Sequence, residues 1–392
     1  MSMNHSSKFH HWRALLFSHV AVLFVLIHFT GCDYTRTENQ SNSMAIPEPV
    51  MQPSPFQVSD GYLYRIQDYP SNHITPRHVD IWLPDSYVPE TMDLGGGTHA
   101  TNGTDSVGGM DSAGGTDSTN GTDSAGGTDS ANHADPATRY AVIYMHDGQM
   151  LFDGATTWNG QEWGVDETLT QLMKDGKIPP VMVVGVWSNP DTRHSDYFPQ
   201  KPFEAMSTAE KERVMNAVRD QNSRLFSTEI ASDGYLRFLT QELKPFIDTH
   251  FPTKPGREST FTMGASMGGL ISMYALAEYP DIFGGFGAVS THWPGIFEME
   301  NNPVPGVFLD YMGKTLPAPG THRLYFDFGT ETLDAIYEPH QNRVDALVSD
   351  LGYNETNWMT QKFEGKDHSE DSWSERFHIP VTFLLAEPQK SD

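Results

Sequence analysis

Ser266 stands in Gly264-Ala265-Ser266-Met267-Gly268, behind a short apolar run and ahead of Leu270, Met273, Tyr274 and Ala277 at helical spacing. A serine set between glycines where a strand turns into a helix is the G-x-S-x-G elbow, whose tight backbone holds the hydroxyl up and exposed. The chemistry this allows is nucleophilic attack on a carbonyl. A serine hydroxyl is weak alone and needs a base. The N–H of Met267, at the head of the helix, would face a developing oxyanion. On such a turn the partners follow in the order serine, acid, histidine. Behind the strand-like run 324–329 come Glu331 and Asp334, which compete for the acid; Asp327, inside the run, reads as structural. Behind the last strand-like run, 358–363, comes Glu364-Gly365-Lys366-Asp367-His368, which makes His368 the candidate base. His292 follows the run 283–289 on a loop and could line a pocket, whereas His322, His340 and His378 read as packing or surface residues.

These residues need a scaffold. The continuous apolar run 140–145 fits a central strand buried on both faces. It leads into His146-Asp147-Gly148-Gln149, where the backbone of Gly148 or Gln149 is the candidate second oxyanion donor. A metal held by His146 and Asp147 is the weaker reading, and no metal or other cofactor is expected. Runs 62–66, 78–83 and 181–187 read as further strands, and 165–173 as a helix. Residues 189–203 read as a polar loop carrying His194, Tyr197 and Arg193, the last a possible pocket residue. Ser207-Thr208-Ala209-Glu210 is a capping box that should open a helix. Leu236, Leu239, Leu243, Phe246 and Ile247 mark the helix before the elbow strand, with a kink expected at Pro245. Strands alternating with helices predict an α/β domain around a mostly parallel sheet.

The chain has 392 residues and a formal charge of −26, from 25 basic and 51 acidic residues. Its field would repel nucleic acid and other polyanions. Residues 1–31 read as an export signal: Lys8 and Arg13 precede an apolar run at 14–29 that is short for a membrane-spanning helix. Phe29-Thr30-Gly31-Cys32 resembles a bacterial lipobox, so Cys32 is expected to carry a lipid that anchors the exported protein to a membrane. Cys32 is the chain's single cysteine, which leaves no disulfide, cysteine-based zinc site or cysteine nucleophile. Residues 32–56, rich in Asn, Ser, Thr and Pro, read as a flexible tether, and 57–390 as one catalytic domain. An insertion at about 91–138 carries a six-residue Gly/Thr/Asp/Ser repeat from Gly103 with almost nothing to bury, and is expected to be disordered. Calcium-binding rolls repeat every nine residues with an apolar residue per turn, a pattern absent here.

The stretches YMHDGQMLFD (144–153), VVGVWSN (183–189), ELKPFID (242–248), GASMGGL (264–270), FDFGTETLD (326–334) and KDHSEDSW (366–373) together resemble the putative-esterase family of α/β-hydrolases. That family holds enterobactin esterases, feruloyl and acetylxylan esterases, S-formylglutathione hydrolases and mycolyltransferases. The resemblance implies an α/β-hydrolase fold with Ser266 as nucleophile, His368 as base and Asp334, in preference to Glu331, as acid. It also places Trp293 near the pocket. The activity it implies is serine carboxylic ester hydrolysis through an acyl-enzyme, on small or sugar-linked (glycan-linked) acyl esters. The rival readings are acyl transfer to an alcohol on the same fold and a non-catalytic surface binding lipoprotein.

Overall fold

The computed structural model describes residues 47–87, 138–221, 223–320 and 322–386. The signal segment 1–31, Cys32, the start of the tether and all but residue 138 of the insertion lie outside the described residues.

The run Val181–Val186 (VMVVGV) is apolar at every position and Ala141–His146 (AVIYMH) at all but His146, and every residue of both is buried. A strand that is apolar on both faces needs cover on both faces, so these runs belong in the middle of a sheet. The strands are β1 Met51–Pro53, β2 Tyr62–Tyr69, β3 Arg77–Leu83, β4 Ala141–His146 and β5 Val181–Val186. The others are β6 Thr260–Ala265, β7 Gly285–Val289, β8 Arg323–Gly329 and β9 Trp358–Phe363. They form one nine-stranded sheet in the order β1-β2-β3-β5-β4-β6-β7-β8-β9. The first three are antiparallel neighbours and β3 meets β5 antiparallel. From β5 to β9 every pairing is parallel.

Alternate side chains feed two apolar layers. On one face Val142 and Tyr144 of β4 pack with the elbow helix Met267–Glu278. On the other, Ile143 and Met145 pack with residues of the helices Val165–Lys174 and His378–Leu385. Because β4 to β9 run parallel, the loops that leave β4, β6, β7, β8 and β9 emerge at one end, where ligands of open α/β sheets bind.

Two expectations need correction. The tether does not extend to residue 56: Met51–Pro53 pairs with Tyr64–Ile66 as an edge strand. Phe56 then stacks on Trp187 at 5.8 Å, with the Arg65 guanidinium 4.0 Å from its ring centre, which holds the segment down. The segment 189–203 is not a polar loop but contains the short helices Arg193–Tyr197 and Gln200–Glu204, with His194 to Tyr197 buried. A buried segment must pair its own backbone, and helical turns do that locally. Tyr197 and Phe198 supply the burial, against Tyr235 at 5.3 Å and Phe226 at 5.4 Å. The helix before the elbow strand runs without a break from Ser232 to His250, and its irregularity is a π segment at Phe238–Leu243. That is the turn in front of Pro245, whose ring and missing N–H disturb the preceding carbonyls. The capping box expected at Ser207 opens the helix Thr208–Met215.

Candidate active site

Ser266 joins β6 to its helix with φ 59° and ψ −118°, a conformation that costs a non-glycine residue about 1–3 kcal/mol. Four hydrogen bonds hold it there. Its N–H donates to the Val289 carbonyl at 2.9 Å, and its carbonyl accepts from the N–H groups of Gly269, Leu270 and His292. The glycines make the turn possible by close approach: a Cβ on Gly264 would lie 3.0 Å from the Gly268 backbone, and one on Gly269 2.6 Å from Thr291 Oγ1. Met267 opens the helix, so its N–H has no acceptor within the helix.

His368 comes from the loop behind β9, where Gly365 takes φ 73°. Its Nδ1 lies 2.6 Å from Asp334 Oδ1, and its backbone N–H donates to Thr332 Oγ1 at 2.9 Å. Trp373 and Tyr337 meet the imidazole edge-on at 5.1 and 5.8 Å. Asp334 sits on the short turn Thr332–Ile336 with its side chain sealed from solvent. Its Oδ2 accepts from the Gly329 N–H at 2.6 Å and from the Ser290 hydroxyl. Ser290 accepts in turn from Trp373 Nε1 at 3.0 Å and Arg376 at 2.8 Å. Arg376 also pairs with Asp327 at 3.1 Å. Burial pushes the Asp327 carboxyl up, and the Arg376 charge opposes it. Of the two competing acids, Asp334 is brought to the histidine. Glu331 is exposed.

The candidate oxyanion donors Gly148 and Gln149 lie just past the end of β4. Asp147 takes φ 57° and starts the turn Gly148–Met150. Within that turn Met150 N–H donates to the Asp147 carbonyl, whereas Gly148 and Gln149 precede the first acceptor. Gly148 must be glycine, since a Cβ would lie 2.5 Å from the Gly185 backbone. The Gln149 side chain is pinned to Ser188, donating from Nε2 at 2.8 Å and accepting the Ser188 N–H at 3.2 Å. Burial pushes the Asp147 carboxyl up, but the bidentate Arg193, at 2.7 and 2.8 Å, holds it below the usual range. His146 has both nitrogens engaged, Nδ1 with Tyr235 at 2.8 Å and Nε2 with Thr262 at 3.0 Å. Among the described residues no three His, Cys, Asp or Glu gather closely enough to hold a metal ion.

These parts share one cleft of about 670 Å³, lined by Ser266, Met267, His368, Gln149, Arg193 and His292 among others. Trp158, Trp163, Phe297 and Trp373 add aromatic wall. A smaller hollow of about 380 Å³ at Met299, Asn302 and Arg343 contains none of the elbow residues. His292 is buried with Nδ1 2.9 Å from the Tyr337 hydroxyl. Trp293, expected near the pocket, is elsewhere. It is buried against Phe326, with Nε1 donating to Gln341 Oε1 at 2.9 Å. A buried indole N–H needs such an acceptor, and Gln341 draws the ring into the core. Ser290, Arg376 and Tyr337 were not singled out from the sequence. The one signal pointing toward them was Asp327, a charged residue inside an apolar strand that required a buried partner.

A family model described as "Putative esterase" matches residues 131–378. The Uncharacterized protein YbbA of Bacillus subtilis (strain 168) is 24% identical over 195 residues, 49% of this chain. The match spans 62% of that relative, less than two thirds of its length. Among solved structures, a ferulic acid esterase superposes with a TM-score of 0.50 at 11% identity, covering 83% of this chain and 98% of the other. A CE1 ferulic acid esterase from Anaeromyces mucronatus, in complex with ferulic acid, reaches 0.48 at 16% identity, covering 84% and 91%. At such an identity the first likeness speaks for the fold alone. Together with the mostly parallel sheet it makes this an α/β-hydrolase fold, as the resemblance implied.

Proposed function

Since the chain belongs to the putative esterase family, we propose that it is an exported serine carboxylic ester hydrolase working through Ser266, His368 and Asp334. The observation that carries the reading is the 2.6 Å contact of His368 with a sealed Asp334, in the cleft that also holds Ser266. Ser266 Oγ attacks the ester carbonyl while His368 Nε2 takes its proton. Asp334 fixes the imidazole by its bond to Nδ1 and stabilises the charge that forms. The N–H of Met267 and that of Gln149 or Gly148 donate to the oxyanion. The carbonyl re-forms, the alcohol leaves with the proton from His368, and the acyl group stays on Ser266. Water, deprotonated by His368, then releases the acid and restores the serine.

The leader and Cys32 support export and a lipid anchor on the outer side of a bacterial membrane or in the periplasm. The net charge of −26 favours small or sugar-linked neutral esters over anionic polymers. The test is hydrolysis of p-nitrophenyl esters from acetate to octanoate, and of methyl ferulate, by the wild type, Ser266→Ala and His368→Ala. Turnover lost in both variants is the expected result. Equal turnover in wild type and Ser266→Ala would sink the reading.

A further inference from the structure

Among the described residues, six that are not glycine take a positive φ. Four of them, Asp147, Ser266, Ser290 and Thr332, stand just past the ends of β4, β6, β7 and β8. Asp147 starts the turn of the oxyanion donors, Ser266 is the elbow, and Thr332 accepts the His368 N–H at 2.9 Å. Ser290, at φ 42° and fully buried, has no comparable part assigned. Its N–H is spent on Asp327, at 3.0 Å from the carbonyl oxygen and 3.1 Å from Oδ1. A strained residue persists only where its surroundings over-determine it, so what surrounds the Ser290 hydroxyl is informative.

Those neighbours leave the hydroxyl proton one place to go. Trp373 Nε1 and Arg376 Nη2 reach Ser290 Oγ at 3.0 and 2.8 Å, and an indole or guanidinium nitrogen only donates. Two donors occupy both lone pairs, so the hydroxyl itself must donate, and its remaining partner is Asp334 Oδ2. The Gly329 N–H reaches the same oxygen at 2.6 Å. With Oδ2 holding two donors, Oδ1 is the oxygen presented to His368 Nδ1. Charge follows the same line. Arg376 Nη2 is 3.1 Å from Asp327 Oδ1 but 4.0 Å from Asp334 Oδ2, beyond a direct hydrogen bond. Its charge therefore reaches Asp334 through the Ser290 hydroxyl, a dipole that the guanidinium polarises.

We propose that Ser290, polarised by Arg376, is a positioning residue that sets how strongly Asp334 holds the proton taken up by His368. This rests on the triad reading and goes beyond it, since none of the three triad residues supplies that control. A donor on Oδ2 draws carboxylate charge away from Oδ1. The imidazolium formed when His368 takes the serine proton is then held less tightly and passes that proton on more readily. Without the hydroxyl, more charge faces Nδ1, and His368 keeps its proton to higher pH. The other titratable or charged groups around His368 are Asp367 and Glu370 on its own loop, Tyr337 edge-on, His292, and Arg193 across the cleft. Among the described residues none of these bonds the Ser290 hydroxyl, so its removal leaves them in place.

The experiment measures kcat/KM for p-nitrophenyl acetate against pH in the wild type, Ser290→Ala and Ser290→Gly. Glycine takes φ 42° without strain, so the second variant serves where alanine fails to fold. The acidic limb of kcat/KM reports the base in the free enzyme. It should move to higher pH by about 0.5–1 unit, equally in both variants. A merely structural role lowers the folded fraction, which scales the whole profile and leaves the limb where it was. Proton NMR gives a second readout: the downfield resonance of the His368 Nδ1 proton should shift in both variants. A limb and a resonance that stay at their wild-type positions overturn the proposal, as does a limb that moves to lower pH. A limb that moves in Ser290→Ala and not in Ser290→Gly traces the effect to backbone strain and overturns it too. A wild type without esterase activity removes the triad reading itself, which is a separate result.

Discussion

Two regions flank Ser266 and treat their polar atoms in opposite ways. On the His368 side, the polar groups of the proposed acid–base pair are pinned from behind. Asp334 is held by Gly329 and Ser290, Ser290 by Trp373 and Arg376, and Arg376 by Asp327. On the other side, His194 and His292 are each anchored at one nitrogen and unpartnered at the second. The difference teaches how the site divides its work. The groups around the proposed base are saturated with internal bonds, whereas these two buried imidazoles each leave one nitrogen unpaired among the described residues.

That contrast can be broken at several points. Asp334→Asn should lower kcat about 10⁴-fold with folding intact, because His368 loses the partner that sets its tautomer. Glu331→Gln, at an exposed position, should leave steady-state kinetics unchanged. Equal losses in the two variants would abolish the distinction drawn between these carboxyls. Next in size is Arg376→Met. It leaves Asp327 buried without its cation, and denaturant unfolding should report a loss of about 3–5 kcal/mol.

A smaller effect concerns pH. Folded His194, with its pKa lowered to about 3, stays neutral below pH 6.5, while the unfolded chain takes up a proton there. The wild type therefore loses this contribution as pH falls, and His194→Phe does not. Between pH 6.5 and 5 the stability difference should move in favour of the variant by about 1.5–2 kcal/mol. A difference constant across that range would show His194 titrating freely. Smallest is Ser290→Ala, which removes one of the two donors to Asp334 Oδ2. A loss of about 10-fold in kcat, close to 1.4 kcal/mol, is expected from stopped assays at saturating ester.

Much of the proposed site was legible in the sequence because its local rules are strong. The elbow needs glycines around Ser266, and a parallel sheet forces the partners to follow in chain order behind β8 and β9. The choice between Glu331 and Asp334 was not legible from spacing, since both lie just past β8. The short turn Thr332–Ile336 buries the Asp334 carboxyl against His368 and leaves Glu331 outside. The helices within 189–203 escaped notice because aromatic packing, rather than apolar periodicity, holds them. Ser290 and Arg376 are 86 residues apart, and nothing local to either announces their bond. Trp293 was misplaced for the same reason, its acceptor Gln341 being 48 residues away.

The most direct test of the whole reading is mass spectrometry of the protein after reaction with a p-nitrophenyl phosphonate, which traps an activated serine. One covalent adduct on the peptide containing Ser266, absent from Ser266→Ala and strongly slowed in His368→Ala, is the expected result. An adduct on another residue, or a Ser266 that reacts as fast without its histidine as with it, would contradict the assignment of nucleophile and base.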